Sequence, residues 1–306
     1  MLTGEQQSRV ERARAILIRR KTRTMSMMIR TPYAACTPHS ERRVWLLRLV
    51  ALLFLATATP VLAFAQIPPN VPYDGRAVLA RIRFPVVAEP AECLDPDGLG
   101  DGGWSHDYPM SVQGMMKAAT EVTSLEAPVD SFTTIEVTRP EFMKYPMAMA
   151  TETGCWSPSD AETKALRTYM EKGGFLLLDD LTFGDGSAEH LELAIARVEV
   201  WMKRVFPMGQ LVEIPRNDPV FRSFFAVGPE DVPGFGSTAD QGASLWGVYE
   251  DNDPSKRLLT VATFRGILGH HWRWVEGGGS GLGEGGSASG KAYRLGLNIL
   301  VYGLSH

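Results

Sequence analysis

The sequence predicts an α/β domain, a mostly parallel sheet with helices on both faces, and three observations carry that expectation. Residues 175–178 form a continuous apolar run that ends in Asp179-Asp180, the pattern of a strand buried on both faces. The run follows directly on a helical segment closed by Gly173-Gly174, and glycine is the residue best suited to stop a helix. Strand-like and helix-like segments then alternate along most of the chain from Ala77 onward.

Taken in order, residues 77–84 alternate with period two. Val78, Ala80, Ile82 and Phe84 fall on one face, and Arg81 and Arg83 on the other. Residues 90–103 read as a Gly/Asp-rich loop. Residues 108–122 read as a helix with Met110, Met115, Ala118, Ala119 and Val122 on its apolar side. Short strands are expected at 133–138 and 145–151. Ser157-Pro158-Ser159-Asp160 is a helix start, with serine as N-cap, proline at the first position and a carboxylate two residues on. Residues 188–206 carry the longest helical pattern, with Leu191, Ile195, Val198, Met202 and Val205 at three- to four-residue spacing, and Pro207 ends it. Further strands fall at 211–214, 244–250 and 257–264. The last two are joined by the turn-like Asp251-Asn252-Asp253-Pro254 into a hairpin appended to the sheet. The Gly/Ser tract 277–290 is a loop by composition, and the apolar residues 292–304 form a closing helix.

The beginning of the chain is different in kind. Arg42-Arg43 and Arg48 precede an apolar run at 49–56. Thr57, Thr59 and Pro60 break it, and Ala63-Phe64-Ala65 offers small residues where a signal peptidase reads. The stretch 49–65 is 17 residues and contains two Thr and a Pro, short of the ~20 apolar residues that cross a bilayer. Export with cleavage is therefore expected, giving a periplasmic or secreted protein; the alternative is an inner-membrane anchor formed by residues 44–65. Residues 1–41 are basic and lack an apolar period, so Met25, Met27 and Met28 are alternative starts. Residues 66–76, with Pro68, Pro69 and Pro72, read as a linker, and 77–306 as a single α/β domain.

Without residues 1–65 the chain keeps 20 of its 31 basic and 32 of its 35 acidic residues, a formal charge of about −12. So acidic a chain repels nucleic acid, which is bound by neutralising phosphates. Any membrane contact would be through an uncleaved export segment. Cys93 and Cys155 remain, and in an oxidising compartment they either pair or stay as separate thiols. No C-x-x-C spacing for zinc is present.

Several stretches resemble the bacterial family called domain of unknown function 4159. They are Lys144-Tyr145-Pro146 before a strand, the segment 169–180, and Val205-Phe206-Pro207. Ile214-Pro215, Asp218-Pro219-Val220-Phe221 and Ser223-Phe224-Phe225 follow, then Tyr293-Arg294-Leu295-Gly296-Leu297-Asn298-Ile299 and Val301-Tyr302. The strand at 79–84 and Trp104 fit its start, and coverage is roughly 77–304. The resemblance implies a flavodoxin-like, doubly wound sheet of the class I glutamine-amidotransferase type, and no established activity. It also implies association with envelope systems built of MoxR-type ATPases and von Willebrand A-domain proteins.

An amidotransferase-type site needs a cysteine after a buried strand and a histidine to activate it. The strand 175–178 ends in aspartates, and Cys155 has no histidine in its segment, so no catalytic residue is assigned. Asp179 and Asp180 are the leading ligand-binding candidates, because open α/β sheets bind ligands at the carboxyl ends of their strands. Neighbouring strand residues point to opposite faces, so one of the two is expected to face the crevice. Trp104 and His106 lie in the first long loop; they share a pocket with Asp179 if that loop folds over the strand ends, and the alternative is that they are solvated loop residues. His270-His271 on an extended segment would supply one metal ligand at most, with His270 as the candidate. Gly285 to Lys291 spells G-x-x-x-x-G-K, but Ala292 stands where Ser or Thr must bind Mg²⁺, which excludes a phosphate loop. Trp201, Trp246, Trp272 and Trp274 read as packing. No cofactor is expected. The leading expectation is an exported, non-catalytic domain that binds a protein partner or small ligand in the cell envelope. The alternative is a metal- or carboxylate-dependent hydrolase at the Asp179 strand end. A crevice filled by Phe183 and Phe224 would count against the latter.

Overall fold

The computed structural model describes residues 70, 72–87, 93, 103–129, 132–181, 187–234, 242–273 and 288–306. The expected signal peptide at 42–65, Phe183, Trp274 and most of the glycine tract lie outside the described residues. Ala65–His306 is one unit.

Strand β1 (Leu79–Ile82) leads through the 3-10 turn Gly103–Ser105 to α1 (Met110–Val122), and β2 (Thr134–Ile135) follows. Next come β3 (Met147–Thr151), α2 (Asp160–Glu171), β4 (Phe175–Asp179) and α3 (Ala188–Val205). Strands β5 (Val212–Glu213), β6 (Ser244–Tyr249) and β7 (Leu258–Phe264) precede a short α4 (Gly269–Trp272) and the closing α5 (Ala288–Ser305). The described strands make one sheet in the order β2-β1-β3-β4-β7-β6-β5. Strands β2, β1, β3, β4 and β7 run parallel, and β6 is antiparallel to both β7 and β5. This is a flavodoxin-like α/β sheet. The hairpin is less an appendage than expected, because β7 is the parallel neighbour of β4 and only its partner β6 reverses.

Strands β1, β3, β4 and β7 are buried at every position, which accounts for the continuous apolar run at 175–178 of β4. The two arginines that alternate with the apolar residues part company: the Arg81 side chain is fully buried, while Arg83 is exposed. The expected strands at 133–138 and 211–214 shrink to two residues each. The start of α2 lies two residues later than expected. Ser159 is the N-cap, its Oγ accepting from the Glu162 amide while Glu162 accepts from the Ser159 amide at 2.7 Å. The reciprocal bond needs Glu at the third helical position, and Glu162 supplies it relative to Ser159, not to Ser157. Residues 288–290, read as loop, form the first turn of α5.

Trp272 anchors one helical layer. It is 1% exposed, and its indole donates to the Ala292 carbonyl at 3.0 Å. A Cβ at Gly114 of α1 would collide with the Trp272 backbone, and one at Gly296 of α5 with its ring. Both glycines therefore permit the close approach of α1, α4 and α5. Trp201 is buried, and Trp246 stacks on Phe264 with centroids 4.8 Å apart, so the described tryptophans pack. Asn298 of α5 is fully buried, accepting from the Phe225 amide at 2.6 Å and donating to the Phe225 carbonyl at 2.8 Å. It holds a loop whose Phe224 remains 43% exposed instead of filling a crevice.

Cys93 and Cys155 are joined by a disulfide that closes a separation of 62 residues. Both are fully buried, beside Ala194 of α3. Thiol titration of the denatured, unreduced protein from residue 66 onward should find no free sulfhydryl. Reduction should lower its stability in urea by about 2–4 kcal/mol, because the link constrains the unfolded chain.

Candidate functional site

The parallel register sets the site. Thr151 of β3 pairs with Asp179 of β4, so the next residues, Glu152 and Asp180, leave the sheet side by side. The two turns are tied together beyond the strands: the Thr153 amide donates to the Asp180 carbonyl at 3.3 Å and the Gly154 amide to the Leu181 carbonyl at 3.1 Å. From the other side, the segment after β1 brings His106 and Asp107 over the same edge. The chain reverses its direction of sheet growth between β1 and β3, and open α/β sheets bind ligands outside such a switch point.

His106 is the hub. Its Nδ1 lies 2.8 Å from Glu152 Oε1 and its Nε2 lies 3.1 Å from Asp107 Oδ2. The same Asp107 oxygen is 3.3 Å from His270 Nδ1, and Arg273 grips the other Asp107 oxygen. Two groups of three gather donor atoms within 4.8 Å of one another: His106 with Glu152 and Asp180, and His106 with Asp107 and His270. Beneath them Arg81 donates to the Trp104 and His106 carbonyls, both at 3.3 Å, to Ser111 Oγ at 2.8 Å and to Thr151 Oγ1.

Three of the acids here have positive φ: Asp107 at 58°, Glu152 at 49° and Asp180 at 48°. Arg265, just beyond β7, has φ 54°. Left-handed backbone is uncommon outside glycine, and such residues cluster where a site over-determines the chain. The carboxylates of Asp107, Glu152, Asp179 and Asp180 are each at most 4% exposed; Arg273 pairs with Asp107, and the Arg81 guanidinium lies close to Asp107, Asp179 and Glu152. Burial pulls Arg81 down to about 10, opposed by Asp107 and Asp179, so it stays charged at neutral pH. Burial also opposes charge on His106, but the carboxylates of Asp107 and Glu152 outweigh it and push the imidazole up to about 11. Burial works against the Asp107 charge too, yet His106 and His270 hold that carboxyl well below the usual carboxylate range.

The expected residues are therefore sorted differently. His106, Asp180 and His270 meet at the edge. Trp104 does not line it: its ring is buried against Tyr108, and its contribution is the carbonyl that Arg81 binds. Asp179 does not share a pocket with His106. It is fully buried, and its oxygens accept from Thr263 Oγ1, the Leu268 amide and the Gly269 amide at 2.9, 2.9 and 2.6 Å. Burial raises its pKa against those bonds. His270 and His271 stand on the helical turn α4 instead of an extended segment, with ring planes 84° apart, so only His270 joins the cluster. Cys155 is committed to its disulfide, which leaves no thiol for an amidotransferase-type nucleophile among the described residues.

Arg81, Asp107, Glu152 and Arg273 were not singled out from the sequence. Glu152 was within reach, because the rule that drew attention to acids after β4 applies equally to the acid after β3. Arg81 is the odd residue in a strand otherwise suited to burial on both faces. Nothing in the sequence ties Arg273 to Asp107, 166 residues away.

The fold and this edge define the class: an open α/β domain with a buried histidine–carboxylate cluster at the carboxyl ends of its parallel strands. A family model described as Domain of unknown function (DUF4159) matches residues 95–304, and the chain belongs to that family. Comparison with curated proteins finds no match.

The raised His106 pKa makes a sign-definite statement about stability. The folded protein holds a proton that the unfolded chain, with an ordinary histidine near 6.5, releases. The contribution is fully present below that unfolded value and is lost as pH rises toward about 11. Urea midpoints measured in chelator from pH 6 to pH 10 should fall with pH, and His106→Gln should flatten the slope.

Proposed function

We propose that the protein is an exported α/β domain that holds one divalent metal ion at the carboxyl edge of its sheet, with metal-assisted hydrolysis as its chemistry. The observation that carries this reading is the convergence of His106, Glu152 and Asp180, donors within 4.8 Å of one another, the two acids on positive-φ turns at strand ends. Metal–ligand bonds of ~2.0–2.2 Å bring such donors together with small side-chain movements.

The two sides of the His106 ring are not equivalent. On the Nε2 side Asp107 is already held by the Arg273 guanidinium and His270, and a cation there would lie against Arg273. On the Nδ1 side stands Glu152 at 2.8 Å, and Asp180 shares a donor group with Glu152 and His106. Histidines that bind metal usually present their other nitrogen to a carboxylate, and Asp107 fills that role here. One imidazole and two carboxylates suit zinc, manganese or iron(II). His106, Glu152 and Asp180 would leave room for water on the ion they hold, and a zinc ion there would lower the pKa of that water toward neutral. The His106 side chain is 17% exposed, while its two ring nitrogens are buried.

Export is supported by the signal-type order of residues 42–65 and by the buried disulfide, which belongs in an oxidising compartment. No helix of the described residues is long and apolar enough to cross a membrane. A role beside MoxR-type ATPases and von Willebrand A-domain proteins would place the domain in an envelope assembly.

Protein purified from the periplasm and dialysed against trace metal should retain about one divalent ion per chain by elemental analysis. Glu152→Gln or Asp180→Asn should each weaken retention at least tenfold. Absence of metal in the wild-type protein overturns the reading. Tight metal with no turnover of chromogenic esters or phosphates leaves a metal-holding, non-catalytic domain. Separately, N-terminal sequencing of the exported chain should begin at Gln66; an intact Arg42 segment would favour the anchored form.

A further inference from the structure

Asp179 was a ligand candidate, yet its carboxylate is spent on the Thr263 hydroxyl and two backbone amides. Both oxygens are used. Oδ1 accepts from Thr263 Oγ1 and the Leu268 amide, each at 2.9 Å, and Oδ2 accepts from the Gly269 amide at 2.6 Å. Every donor belongs to β7 or to the segment leading into α4. Gly269 is fitted to this contact: a Cβ there would lie 3.0 Å from Asp179 Oδ2 and 3.2 Å from Met149 Cε. The far end of α4 is fixed independently by Trp272, which is clasped between α1 and α5.

The four-residue turn between those two anchors carries His270, and Arg273 follows it directly. Both side chains close on Asp107, one on each oxygen, and Asp107 in turn faces His106 Nε2. A chain of direct contacts therefore runs from a buried carboxylate under β4 to the nitrogen of His106 opposite Glu152.

We propose that Asp179 is a positioning residue: by fixing the start of α4 it sets His270 and Arg273 on Asp107, and so holds the His106 ring with Nδ1 toward Glu152. The proposal rests on the metal-binding reading for its affinity readout, and it has a second readout that does not.

The test is Asp179→Asn, which keeps the shape but gives only one acceptor oxygen where backbone amides approach both. Cobalt(II) titrated into the metal-free wild-type and variant proteins should show affinity lowered about ten- to hundredfold in the variant, the usual cost of losing an outer-shell partner. The cobalt absorption spectrum should be unchanged, because the ligands are the same. Asp179→Asn combined with His270→Ala should weaken binding no further than the stronger single change. Unchanged affinity overturns the proposal, and so does an altered spectrum, which would make Asp179 itself a ligand. If Asp179→Asn does not fold, Gly269→Ala crowds the same carboxylate and should lower affinity in the same direction. In metal-free protein, the ring ¹⁵N signals of His106 should shift in the variant. If they stay in place, the clamp does not reach that ring and the proposal fails. Failure of the wild-type protein to bind cobalt instead overturns the metal reading, leaving the ¹⁵N result to decide the role of Asp179.

Discussion

A guanidinium with no exposure lies under the carboxyl edge of the sheet, and much of the structure answers to it. Burying a charge is costly unless it is paired and hydrogen-bonded. Arg81 meets that demand with two carbonyls from the segment after β1, a hydroxyl from β3 and a hydroxyl from α1. Those bonds draw the Trp104–His106 segment down onto the sheet. They also make the edge a place where carboxylates are favoured, since Asp107, Asp179 and Glu152 all act to keep Arg81 charged.

The same carboxylates favour a proton on His106, whose two ring nitrogens face Glu152 and Asp107. A proton and a divalent ion answer the same electrostatic demand, which connects the alkaline sensitivity of the fold to the metal reading. Stored backbone strain has the same address. Glu152 and Asp180 turn left-handed at the first residue past their strands, and that turn directs each side chain across the edge instead of along the pleat.

The arrangement separates two kinds of acid that are neighbours in sequence. Asp179 ends β4 inside the sheet and meets amides, and Asp180 begins the turn outside it and meets His106. Alternation of strand residues anticipates that only one of the pair faces the crevice. It does not say which, because the choice depends on where the segment after β7 folds back. The same return explains His270 and His271: a helical turn in place of an extended segment points one ring at Asp107 and the other away.

The sequence by itself determined the alternation of strands and helices, the closure of α2 by Gly173-Gly174, the burial of β4, the family, and the end of the sheet where acids gather. These are local or periodic properties, and each is written in a few adjacent residues. The tertiary structure alone decided that Arg81 points inward, that Cys93 reaches Cys155, that Glu152 stands beside Asp180, and that Asp107 collects His106, His270 and Arg273. Those relations join residues brought together by strand register and by loops returning to one edge. The physical reason is that a charged group's partners are set by which burial it must survive, and burial is known only once the layers have closed.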